Sequence, residues 1–363
     1  MREILLGKSM LYHLSLALKS YWSIFNVVHY VSFRAIAALL STLLFSLVYG
    51  NRFIDKSKLF FRSKAREWAP ESHKVKDNMP TMGGIFIIGA VFINCLLWCN
   101  LFAPQIWILL LCLLGFGAIG FWDDWCKIHH TRGISARTKS LLQVSVGLLV
   151  SVLWLFTSGA STTVVFPFFK GLQPDIGLFF IPWMVLVLVG CSNAVNLTDG
   201  LDGLAIGSLI PNFVTFSIIG YIAGHYKLAS YLQIPFVGSA EIAVVGATLV
   251  GASLGFLWFN TYPAQIFMGD VGSLALGAVL ALMALMAKQE LLLLIAGGLF
   301  VLEAVSVILQ VASYRWLGRR IFKMAPIHHH FELMGWQESK ITVRFAIISF
   351  VLCLLALITL KLR

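Results

Sequence analysis

Ten runs of predominantly apolar residues, each long enough to cross a bilayer, constrain this chain more than any other feature. They lie at roughly 24–50, 79–99, 103–122, 137–158, 177–195, 204–223, 240–259, 267–287, 291–314 and 341–360. A helix rises about 1.5 Å per residue, so about twenty residues cross the roughly 30 Å hydrocarbon core of a membrane. Composition agrees. Only 12% of the 363 residues are charged and 59% are hydrophobic, too little polar material to cover a water-soluble body. The fold expected is all-α integral membrane, with about ten transmembrane helices. Polar loops join the runs without a soluble domain, tandem repeat or low-complexity tract, so 1–363 reads as a single polytopic membrane domain. The thinnest separation is Lys288-Gln289-Glu290, between the eighth and ninth runs.

The first residues do not resemble a signal peptide, because the apolar run Ile4 to Leu6 is very short and the next stretch is interrupted by Lys8 and Lys19. The six cysteines sit mostly inside apolar runs without CxxC spacing and read as small packing residues.

Lysine and arginine orient the spans. The loop 51–78 carries Arg52, Lys56, Lys58, Arg62, Lys64, Arg66, Lys74 and Lys76, and the loop after the ninth span carries Arg315, Arg319, Arg320, Lys323 and Lys340. Opposite loops hold only scattered Lys170, Lys227 and Lys288. The basic loops are expected in the cytoplasm, with both termini periplasmic. Spans three, five, seven and nine then end at one cytoplasmic face, where the polar clusters fall.

The third span ends in Asp123-Asp124, followed by Lys127. Adjacent carboxylates on apolar flanks repel each other unless a cation or proton compensates them. An ordinary charged helix end competes with a Mg²⁺ or phosphate site here, since Mg²⁺ favours one or two carboxylates plus water and substrate phosphate. The fifth span ends in Asn196-Leu197-Thr198-Asp199-Gly200-Leu201-Asp202-Gly203, whose polar residues recur every three positions, on one side of a helical turn. A structural loop with Asp caps is the alternative. Between spans seven and eight, Asn260 and Phe267-Met268-Gly269-Asp270 bring a third acid, which also suits a helix N-cap.

After the ninth span, Pro326-Ile327-His328-His329-His330-Phe331 suits contact with an anion better than a zinc site, because no cysteine or acid pattern accompanies it. Lys76, with Pro80-Thr81-Met82-Gly83-Gly84, offers a cation and backbone N–H groups to a phosphate, as does Lys139 beyond the third span. Five of the sixteen acids, Asp123, Asp124, Asp199, Asp202 and Asp270, thus share one face with lysines and histidines, a site for polyphosphate chemistry. Glu303 is the main acid inside a span, where interhelical hydrogen bonding is the simplest role.

These motifs, in this order over essentially the whole chain, resemble the phospho-N-acetylmuramoyl-pentapeptide transferases, a branch of the polyprenyl-phosphate phospho-sugar transferases. The Asp-Asp pair and Asn196–Gly203 belong to the wider superfamily; Pro-Ile-His-His-His points to the branch. Asn78-Met79 stands before Pro80 where the family leads one to expect Gly-Thr. The resemblance implies transfer of phospho-N-acetylmuramoyl-pentapeptide from its UDP-linked donor to undecaprenyl phosphate, giving lipid I and UMP for peptidoglycan, in the bacterial inner membrane. It implies Mg²⁺ as cofactor, membrane lipid as surroundings, and a homodimer.

On this reading Asp123, Asp124, Asp270 and His328 are the catalytic candidates, with Asp270 and Asp123 holding the metal. Lys76, Thr81, Lys127, Lys139, Asn196, Asp199, Asp202, Asn260, Phe267, His329 and His330 would bind substrate, Phe267 by stacking on uracil. Whether lipid phosphate attacks directly or an aspartate first forms a covalent intermediate stays open. So do a related transferase using UDP-N-acetylglucosamine, a transporter or flippase, and a non-catalytic scaffold. The net charge of +11 is explained by orientation and by attraction to anionic lipids and substrates, without nucleic acid.

Overall fold

The computed structural model describes residues 11–12, 15, 23–61, 79–130, 133–158, 160–169 and 171–361. Among these, ten long helices run in alternating directions: α1 (Val31–Phe60), α2 (Gly84–Trp98), α3 (Pro104–His129), α4 (Ala136–Ser158), α5 (Phe180–Thr198), α6 (Leu204–Ala223), α7 (Glu241–Asn260), α8 (Gly269–Met286), α9 (Gly298–Leu317) and α10 (Glu338–Thr359). No β-strand occurs among the described residues. Nine of the ten are long and apolar enough to cross a membrane; α2, with 15 residues, is the exception. Its length of about 22 Å falls short of the roughly 30 Å hydrocarbon core.

The expected spans match these helices in order, with differences at the ends. The first helix begins at Val31 and continues to Phe60, well past the expected end at 50. Its last turns carry Arg52, Asp55, Lys56 and Lys58, so a strictly apolar criterion stops too early. The ninth expected run is broken: Leu293–Ala296 forms one short helical turn and α9 starts afresh at Gly298. Lys288, Gln289 and Glu290 do separate α8 from that short turn, but they are buried rather than a solvated loop. The Lys288 ammonium binds the carbonyls of Ser161 and Thr163 and stands 3.9 Å above the Phe180 ring, inside the opposite end of the bundle from the aspartates.

α7 and α8 form the centre. Every residue from Val271 to Met286 is buried, and α8 packs against α3, α5, α2 and α6 while α7 packs against α1, α6 and α2. Both are rich in Gly, Ala and Ser, the residues that let helix backbones approach in a bilayer, where hydrophobicity alone gives no reason for helices to associate. A Cβ at Gly251 would run into the Leu39 carbonyl and one at Gly255 into Ser46, so α1 lies directly on α7. Helix alternation puts the ends of α1, α3, α5, α7 and α9 on one side, with the starts of α2, α4, α6, α8 and α10.

Candidate active site

Asp123 and Asp124 occupy the last turns of α3 and are buried, at 3% and 6% exposure. They are interior because α3 crosses α8 closely: a Cβ at Gly120 would overlap the backbone carbonyl of Asp270. Asp270 stands in the first turn of α8 beside them. Each carboxylate is fixed by the backbone or by an ammonium. Asp123 Oδ1 accepts the Ile134 N–H at 2.9 Å, and Asp124 Oδ2 accepts the Val271 N–H at 3.2 Å.

Two lysines neutralise most of this charge. Lys127 Nζ, one turn along α3, lies 2.9 Å from Asp123, 3.3 Å from Asp124 and 3.0 Å from Asp270. Lys139, from α4, pairs with Asp123 at 3.2 Å and also with Asp270. Three helices are thereby joined through ion pairs, leaving three carboxylates against two ammoniums. Side-chain exposure rises from 5% at Asp123 to 15% at Asp270 and 31% at Lys127, so the cluster opens outward through Lys127.

The Asn196–Gly203 segment forms the adjoining wall. Asn196 donates to Ser273 Oγ at 2.8 Å, tying the end of α5 to α8. Asp199 caps α5, and its carboxyl is pushed up to about 8, first by burial and then by the charges of Asp270, Asp124 and Asp202. Asp202 and Asn260 have structural partners. Asp202 Oδ2 accepts the Ala264 N–H at 3.0 Å, Asn260 Oδ1 accepts the Gly203 N–H at 3.1 Å, and Asn260 Nδ2 donates to the Ile266 carbonyl at 2.8 Å. These bonds knit the turn after α5 to the loop before α8. The backbone of Phe267 pairs with Pro80 and Gly83, and Thr81 N–H donates to the Phe61 carbonyl, so the segment before α2 is held against that same loop. Lys76 lies outside the described residues.

The three histidines do not converge on one point. His328 Nδ1 is 3.1 Å from Glu303 Oε2, His329 Nδ1 is 3.1 Å from Glu332 Oε2, and His330 Nδ1 accepts the Lys323 N–H at 3.1 Å. Glu303 has the interhelical role expected of it. Sequence reasoning missed Glu338, whose carboxylate accepts the Asp202 N–H at 2.8 Å, because an acid at a helix start carries no distinguishing signal. Ser273 lies just beyond Asp270, and nothing in the sequence sets it apart from an ordinary helix serine.

Among the described residues no three His, Cys, Asp or Glu side chains form a ready-made metal cage. The donor chemistry nevertheless fits a hard divalent cation. Carboxylate oxygens of three aspartates converge on one ammonium, Lys127, so the cluster is arranged around a positive charge. Mg²⁺ takes few protein carboxylates and completes its shell with water and phosphate, so an incomplete protein set suits it.

Comparison with known proteins agrees with the geometry. Residues 106–288, which span α3 to α8, match glycosyl transferase family 4. The chain is 49% identical over 358 residues to a phospho-N-acetylmuramoyl-pentapeptide-transferase of Citrifermentans bemidjiense, covering 98% of this chain and 100% of the relative. It is similar to the same degree, over the same shares, to the enzyme of that name from Geobacter sp. strain M21.

Proposed function

The chain belongs to the phospho-N-acetylmuramoyl-pentapeptide-transferase family, and from that premise we propose that it transfers phospho-N-acetylmuramoyl-pentapeptide from the UDP-linked donor to undecaprenyl phosphate, releasing UMP and forming lipid I for peptidoglycan. The observation that carries this reading is the buried meeting of Asp123, Asp124 and Asp270 with Lys127 and Lys139 at the ends of three helices.

Both substrates are phosphate anions, so the first requirement is neutralisation of charge where they meet. Lys127 and Lys139 serve it, because each already binds carboxylates and can turn toward phosphate oxygens. Asp270 and Asp123 would hold Mg²⁺, which would supply Lewis-acid stabilisation of phosphate charge. Asp124 is left to orient the lipid phosphate and take its remaining proton, a modest task because that phosphate is largely ionised near neutrality. Asn196 and Asp199 border the nucleotide, with Phe267 stacked on uracil; Asp202 and Asn260 act by shaping the turn. His329 and His330 contact the donor from the α9–α10 side. The basic loops face the cytoplasm, where the UDP-sugar resides, in the bacterial inner membrane. The enzyme works as a homodimer.

The test is UMP release by the purified protein with both substrates. Activity should require Mg²⁺, and Asp123→Asn and Asp270→Asn should each lower kcat at least about 100-fold, the scale of losing one charge-stabilising group. Preference for UDP-N-acetylglucosamine over the muramoyl-pentapeptide donor would overturn the substrate assignment. Undiminished activity in both variants would overturn the site.

A further inference from the structure

Lys139 reaches the aspartates from α4, a peripheral helix that packs mainly against α3 and α5. In the first half of α4, from Ala136 to Gly147, only Gln143 and Gly147 are buried; the rest are exposed or half-buried. Gln143 lies one helical turn beyond Lys139, and residues four apart share a helix face. It is 1% exposed. Its Oε1 accepts from Asn193 Nδ2 of α5 at 2.9 Å, and its Nε2 donates to Asn193 Oδ1 at 3.4 Å. Asn193 Nδ2 also donates to the Val189 carbonyl of its own helix at 2.8 Å, so the amide that Gln143 meets is itself held in place.

A helix bordered largely by lipid has little to fix its rotation. Its apolar side chains gain no hydrophobic advantage from a neighbouring helix over acyl chains, whereas an amide finds no substitute partner in hydrocarbon. On one side of Lys139, the Ile134 N–H on Asp123 ties down the turn that opens α4. That tether uses the same carboxylate with which Lys139 pairs. On the other side, the Gln143–Asn193 pair joins α4 to the bundle without any aspartate. The link continues inward: Asn196, one turn after Asn193, donates to Ser273 Oγ, which donates to the carbonyl of Gly269 at 3.0 Å, next to Asp270. The amide pair thus registers the helix that carries Lys139 against the helix that carries Asp270.

Resting on the transferase reading above, we propose that Gln143, through Asn193, is a positioning residue: it fixes the rotation of α4 so that the Lys139 ammonium stands between Asp123 and Asp270. Gln143 acts only through Lys139 and touches no substrate. A 1 Å misplacement of a group that stabilises charge costs up to about 100-fold in rate, and with the Ile134 tether still in place about 10-fold is expected here.

The experiment uses the full-length enzyme with Gln143→Met, which keeps the length of the side chain and removes both hydrogen bonds. Its kcat for UMP release should fall about 10-fold. Ser151→Ala is the control: it removes another buried polar group of α4, one bonded only to the Gly147 carbonyl of the same helix, and should leave kcat unchanged. Lys139→Met alone should lower kcat about 100-fold. Adding Gln143→Met to it should lower kcat no further, since residues that act through one group are not additive. A loss of packing unrelated to Lys139 would multiply the two effects instead. Acylation of Lys139 by N-hydroxysuccinimidyl acetate, followed by mass spectrometry, reads its position without turnover. The amine is 17% exposed and paired with two carboxylates, so it should react faster in Gln143→Met than in the parent and at the parent rate in Ser151→Ala. A Gln143→Met kcat within about twofold of the parent would overturn the proposal, as would multiplied effects in the double variant or an unchanged acylation rate. Should Gln143→Met not fold, Gln143→Leu takes its place with the same expectations. If the parent released no UMP, the transferase reading would fall, while acylation would still report whether Gln143 positions Lys139.

Discussion

Asp199 sits in an environment that its neighbours in sequence do not suggest. An unfolded aspartate titrates at about 3.9, whereas burial and three nearby carboxylates push this one up to about 8. The folded protein therefore binds its proton more tightly than the unfolded chain. That contribution to stability is complete below about pH 4 and is lost as the pH rises through about 8. Asparagine carries no such liability. In magnesium-free detergent solution, Asp199→Asn should melt at a higher temperature than the parent, and the difference should widen from pH 6 to pH 9. A constant difference across that range would place the charge elsewhere. The run of polar residues in Asn196–Gly203 was legible in the sequence; the upward push on Asp199 was not, because Asp124 and Asp270 reach it from other helices.

At the scale of the element, α1 carries a buried stripe at every fourth residue: Arg34, Ala38, Thr42, Ser46, Gly50 and Ile54. The stripe is readable in the sequence once the helix is known, since residues four apart share a face. Its small members explain why α1 can lie against Gly251 and Gly255 of α7. Arg34 starts the stripe at the end remote from the aspartates. It forms a two-pronged pair with Glu241 at 2.6 and 2.9 Å, and donates to the Trp98 carbonyl at 3.1 Å. Asn100 N–H donates to the same carboxylate at 3.0 Å, so α1, α2 and α7 are pinned together. Removing one partner strands a buried charge. Arg34→Met should cost about 3–5 kcal/mol in reversible unfolding, and Arg34→Met with Glu241→Leu should cost less than either single change. A double variant as unstable as the sum of the two would mean that the charges act independently.

Across the whole molecule, alternation of the helices separates two ends. The turn 133–135 lies with the aspartates, while Ser161 lies at the other end, in the loop gripped by Lys288. Ser135→Cys and Ser161→Cys, both at exposed positions, should be labelled by a membrane-impermeant maleimide from opposite sides of sealed vesicles, Ser135→Cys from the cytoplasmic side. Labelling of both from one side would refute the orientation derived from the basic loops. The sequence by itself determined the solvent, the number and order of the helices, and which stretches gather at one end. Those depend on run length and loop charge, which are local and additive. Only the tertiary structure decided that Lys127 and Lys139 sit among the three aspartates, that Asp202 and Asn260 knit loops, and that Glu303 belongs to His328. Each of those depends on how closely two helices cross. In a bilayer that distance is set by small residues and buried polar pairs between distant segments, and no periodicity within one segment records it.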